Sequence, residues 1–239
     1  MNTHDFLIMA IPAVVALLGG VLAAVWTPGH QSRSLIQHFA AGVVLAALAV
    51  ELLPEIEREH APSLVLIACF ALGSLFMYGI KLWTLRMEHQ ATLSGVAAGM
   101  GSGLLLATFI DVATDGFIIG AGFAAGGQTG TILALGLSVE LLFLGLALAS
   151  SATSGRRIIV LSGALGVTVL VFSVLGSVLL TGASHAVIGG TLAFSAAALH
   201  YLVTEELLIE AHEVEEKPIS TLVLFGGFLA FWSIQLIGR

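Results

Sequence analysis

The sequence predicts an all-α polytopic membrane protein with eight transmembrane helices, and three observations carry that prediction. Charged residues make up 10% of the chain, whereas a soluble domain needs about a quarter of its residues charged to clothe its surface. The 58% of residues that are apolar fall into long blocks, and blocks of about 20 residues match the hydrocarbon thickness of a bilayer. The alternating apolar and polar pattern of an outer-membrane barrel is absent. The mean hydropathy of +1.05 agrees, and a single transmembrane domain over 1–239 is the expected organisation.

The predicted spans, in order, are 6–26, 35–54, 63–86, 94–123, 128–150, 157–181, 185–211 and 219–238. Segment one is expected to be a retained membrane helix rather than a signal peptide. It has Asp5 and no Lys or Arg before its apolar stretch, so the positive n-region is missing. Thr27-Pro28-Gly29 separates it from segment two, and the Glu55–Pro62 run ends segment two. Arg86–Gln90 ends segment three, and Gly126-Gly127 divides segments four and five. Ser154–Arg157, Thr181–Ser184 and Glu213–Pro218 supply the remaining breaks. Gly, Pro and charge clusters are the punctuation used throughout.

Lys and Arg placement predicts orientation. Arg33, Lys81, Arg86, Arg156, Arg157 and Lys217 lie in or beside odd-numbered loops, against Arg58 and Arg239 on the other side. Odd loops are therefore expected in the cytoplasm and both termini outside, in a bacterial inner (plasma) membrane. An internal echo links segments two and seven, Glu51-Leu52-Leu53-Pro54-Glu55 and Glu206-Leu207-Leu208-Ile209-Glu210. These segments run in opposite directions, as in a 3+2+3 inverted-repeat arrangement of the kind found in transporters.

Carboxylates inside spans carry the functional information, because each costs about 2.5–3.5 kcal/mol at a helix centre. Asp111 and Asp115 in segment four share one helix face at i, i+4. Glu140 stands alone among apolar residues of segment five. Asp115 lies 12 residues before Gly127 and Glu140 lies 13 after it, so an antiparallel pair brings them to one depth. No Lys or Arg occurs in either segment. A divalent cation with oxygen ligands would relieve the repulsion among three such acids. The competing structural reading is that the acids are protonated or hydrogen-bonded to Thr108, Thr114, Ser138 or backbone.

Segment seven adds His200, Glu205, Glu206 and Glu210. Glu206 and Glu210 share a face by α-helical spacing, while His200 falls off it. With Glu51 and Glu55 of segment two, these are the expected lining of a transport pathway, or else ordinary interfacial charge. His4, His30, His38, His60, His89, His185 and His212 lie mainly at span ends, with no metal-spaced pair among them. The formal net charge of −7 argues against nucleic acid as a partner. The lone Cys69 forms no intrachain disulfide and reads as a small buried hydrophobe.

These segments resemble the ZIP (Zrt/Irt-like) family of divalent-metal transporters. The likeness runs through HFAAGVVLAALAVELLPEI, FIDVATDGFIIGAGF and LHYLVTEELLIEAHE. The family's His-Asn-x-x-Glu/Asp-Gly motif in segment four is occupied here by Asp111, Val112, Asp115 and Gly116. Its His four residues before Glu in segment five is matched by Gly136 and Glu140. The resemblance implies eight helices in a 3+2+3 arrangement, outward termini and a metal site between helices four and five. Asp111 and Gly136 replace both family histidines, and segment six has no acid. An all-oxygen site suits Mg²⁺, Mn²⁺ or Fe²⁺ better than Zn²⁺.

The expected function is thus secondary or facilitated transport of a divalent cation (Mn, Fe or Zn) as substrate, with no cofactor. The expected partners are that ion and the lipid bilayer, with a second copy of the chain in a homodimer as a candidate assembly. Neither an ATP-binding motif nor a His-Glu-x-x-His motif nor a nucleophile elbow is present, so no enzyme is expected. An intramembrane metal-dependent enzyme and a transport-inactive relative with a regulatory or assembly role are the alternatives.

Overall fold

A computed structural model describes residues 3–26, 29–93, 102–151, 154–212 and 218–237. Among them are eight helices long and apolar enough to cross a membrane, and no strand. They are α1 (Thr3–Val25), α2 (30–58), α3 (Ser63–Leu93), α4 (Ser102–Ala125), α5 (Gly127–Ser151), α6 (Gly155–Leu180), α7 (185–212) and α8 (Pro218–Ile237). The first part of the expected segment four, 94–101, lies outside the described residues.

Two helices run on past their expected C-terminal breaks, for one reason. Arg86–Gln90 does not break α3, which continues to Leu93. The stretch 80–94 contains no Gly or Pro, and Leu, Arg, Met, Glu, Gln and Ala are good helix formers. Likewise α2 runs past Glu55 to Arg58 before the Glu59-His60 turn. Charge marks where a helix leaves the bilayer and says little about where it ends. The uncharged Thr181–Ser184 break does hold. Gly182 adopts φ +78° there, a left-handed conformation that glycine enters without a Cβ penalty.

Both α2 and α7 carry an internal π-helical turn, Leu48–Leu52 and Leu202–Leu207. These turns fall on the two halves of the sequence echo. In α2 the turn precedes Pro54, whose ring nitrogen has no hydrogen to offer a carbonyl one turn back. Val50 O is instead met from another helix, by Gln235 Nε2 of α8 at 3.1 Å.

Packing separates central from peripheral helices. In their most apolar windows 67% of the residues of α2 and α7 are buried, against 11% for α3 and 17% for α8. α1 packs on α5 and α6, and α4 packs on α6 and α5. α8 lies along α2 and α3 along α7, while α2 touches α5 and α7 touches α4. Small residues make these approaches possible. A Cβ at Gly120 would collide with the backbone of Ser173, Gly176 and Ser177, so α4 is held directly against α6.

Candidate metal centre

α4 and α5 are antiparallel neighbours joined at Gly126, and their shared register sets the site. One carboxylate oxygen from each of Asp111, Asp115 and Glu140 lies within 4.8 Å of the other two. Equal distance from the turn therefore does become equal depth. Val112, Ile119, Leu137 and Leu141 around them are 0–1% exposed, which fixes the two helix faces. Asp115 and Glu140 are 2% and 3% exposed, and Asp111 is partly buried.

Asp115 Oδ2 and Glu140 Oε2 are fully buried without a hydrogen-bond partner. An unmet buried polar atom costs about 1–3 kcal/mol, and more if it is charged. Two of the neighbouring hydroxyls are engaged with backbone carbonyls. Thr114 Oγ1 donates to Ile110 O at 2.9 Å and Ser138 Oγ to Ala134 O at 2.6 Å. A hydroxyl has one proton, so neither can also donate to an acid. None of the three acids forms an ion pair with a described basic residue. Glu206 on α7 lies within electrostatic reach of all three.

The other expected residues are placed differently. Glu51, 5% exposed, has both oxygens occupied by neutral donors. Thr129 Oγ1 of α5 reaches Oε1 at 3.0 Å, and Gln235 Nε2 of α8 reaches Oε2 at 2.7 Å. Glu51 therefore ties three helices together. Glu55 accepts a bond from Arg58 Nη1 at 2.9 Å, and its carboxylate faces the Gly126 turn. Glu205 pairs with Lys81 of α3. His200 is exposed and does not join the cluster. The side chain of Glu210 lies outside the described residues. Glu206 lies near the end of the π turn and Glu210 in the α-helical turn that follows it.

Sequence reasoning missed Thr129, Gln235 and Glu59. Gln235 was findable, as a lone amide in an apolar span is a recognised interhelical tie. Glu59, 7% exposed, meets His185 Nδ1 at 2.7 Å across the α2–α7 junction, and nothing in the local sequence marks that contact. Gly136, at the position where a family histidine was expected, packs against Ala47 and Phe231. No protein-family model matches this chain, and no curated protein matches it.

Proposed function

We propose that this protein is a divalent-cation permease of ZIP type, binding its substrate ion between α4 and α5 through Asp111, Asp115 and Glu140. The observation that carries the proposal is the pair of buried, unpartnered oxygens on Asp115 and Glu140, beside a third carboxylate. Hard divalent cations bind oxygens at about 2.0–2.6 Å, so two ligands of one ion are at most about 4–5 Å apart. The observed spacing of 4.8 Å or less fits that limit. The ion exchanges part of its hydration shell for these carboxylates, and the donor set favours Mn²⁺ or Fe²⁺ at least as much as Zn²⁺.

Alternating access is the expected mode, and the helix pairings support it. If segments 1–3 correspond to 6–8 and segment 4 to 5, the α1–α5 contact maps onto α6–α4. By the same correspondence α2–α8 maps onto α7–α3, and α2–α5 onto α7–α4. The two π turns correspond as well. Inverted repeats of this kind place the substrate at the repeat interface near mid-membrane.

Metal uptake by purified protein in proteoliposomes tests the proposal. Asp115→Ala and Glu140→Ala should each abolish uptake while membrane insertion and folded yield are kept. The double variant should be no worse than either single one, as for groups acting as a unit. In the parent protein Mn²⁺ and Fe²⁺ should compete as well as Zn²⁺. Normal uptake by folded Asp115→Ala would remove the central site. Inactive parent protein that is fully folded would instead favour a transport-inactive relative, for which Gly136 and Val112 at expected ligand positions are the motivating observation.

A further inference from the structure

Two histidine rings meet at the junction of α2 and α7, well separated in sequence from the carboxylate cluster. His38 and His212 are 174 residues apart, so no spacing rule pairs them. The structure sets their rings 5.3 Å apart at 63°. His38 is 4% exposed, whereas His212 is exposed.

Both rings are anchored in the same way. His38 Nδ1 contacts Ser34 O at 2.8 Å, and His212 Nδ1 contacts Leu208 O, in each case the carbonyl four residues back. A carbonyl only accepts, so each Nδ1 carries the proton. In the neutral ring Nε2 is then the basic nitrogen. Donation of the second ring nitrogen to a backbone carbonyl is the usual support of a metal-binding histidine, fixing tautomer and orientation. Two imidazoles on one tetrahedral ion, with metal–nitrogen bonds of about 2.0–2.1 Å, have centroids about 5 Å apart. The junction is already fastened beside the rings, where Ser34 Oγ donates to Ala211 O at 2.7 Å.

We infer that His38 and His212 together bind a borderline divalent cation of the Zn²⁺, Co²⁺ and Ni²⁺ class, tying α2 to α7 at this end of the molecule. Imidazole donors suit that class, whereas the α4–α5 cluster offers oxygen alone. The two sites therefore differ in ion preference, and this one does not depend on the transport proposal.

Co²⁺ is the probe, added alone to the purified full-length protein in detergent, because its visible spectrum distinguishes nitrogen from all-oxygen coordination. The parent protein should bind Co²⁺ with a nitrogen-type spectrum that Zn²⁺ displaces. His212→Gln and His38→Gln should each weaken this binding by at least about tenfold. Asp115→Ala should leave it unchanged, which separates this site from the transport site. His212 is exposed, so His212→Gln keeps the fold in place even if His38→Gln does not. A folded His212→Gln protein with the parent's Co²⁺ affinity and spectrum would show that the rings are merely packed together and would overturn the inference.

Discussion

A β-carbon at position 136 would sit 3.3 Å from both Ala47 Cβ and a Phe231 ring carbon. Any side chain there requires Ala47 and Phe231 to give way by a few tenths of an ångström, so the α2–α5–α8 contact favours glycine. Gly136→His should therefore destabilise the folded protein by about 1–3 kcal/mol through overpacking, seen as a lower melting midpoint in detergent. A variant as stable as the parent would refute this account. The three acids themselves were legible in the sequence, because charge in an apolar span and distance from a turn are both one-dimensional quantities. The contacts of Glu51 with Thr129 and Gln235, and of His38 with His212, were not. They join helices whose relative rotation no periodicity encodes.

At the level of elements, the π turns in α2 and α7 are the main departure from regular helix. Such turns insert a residue, so the two sides of each helix are rotated by about 100° relative to an unbroken helix. In α2 the His30–Ala47 portion presents Ser34 to α7, and the portion beyond presents Glu51 to α5 and α8. The echo between segments two and seven was visible in sequence, but the π geometry behind it was not, since helical-wheel reasoning assumes a constant period. Gln235 is the outside support of the α2 irregularity. Gln235→Leu should leave Val50 O unmet and remove one of the donors to buried Glu51. The expected loss is about 1–3 kcal/mol, measured as a fall in thermal midpoint against the parent protein. An unchanged midpoint would show that α2 keeps its shape without help from α8.

On the scale of the whole molecule, eight spans were readable from hydropathy, while the grouping of helices was not. Nothing in apolar segments of similar composition says that α1 rests on α5 and α6, or that α3 lies on α7. Basic-residue placement makes a separate prediction about sidedness. In a background with Cys69 replaced by Ser, single cysteines at positions 86–92 and 213–218 should resist a membrane-impermeant thiol reagent in intact cells. Cysteines near either terminus should react. A protected C-terminus would sink the eight-span topology. The length of α3 bears on the same experiment. Its 31 residues at about 1.5 Å each make a rod of about 46 Å, still about 43 Å along the membrane normal at a tilt of about 20°. The hydrocarbon layer is about 30 Å thick. Some 13–16 Å of rigid helix must therefore stand clear of the oil, and the end that carries Arg86 and His89 is the polar one. That excess matches the headgroup layers, which bring the bilayer to about 40–45 Å, so the polar end of α3 is a rigid rod at headgroup level rather than a flexible loop.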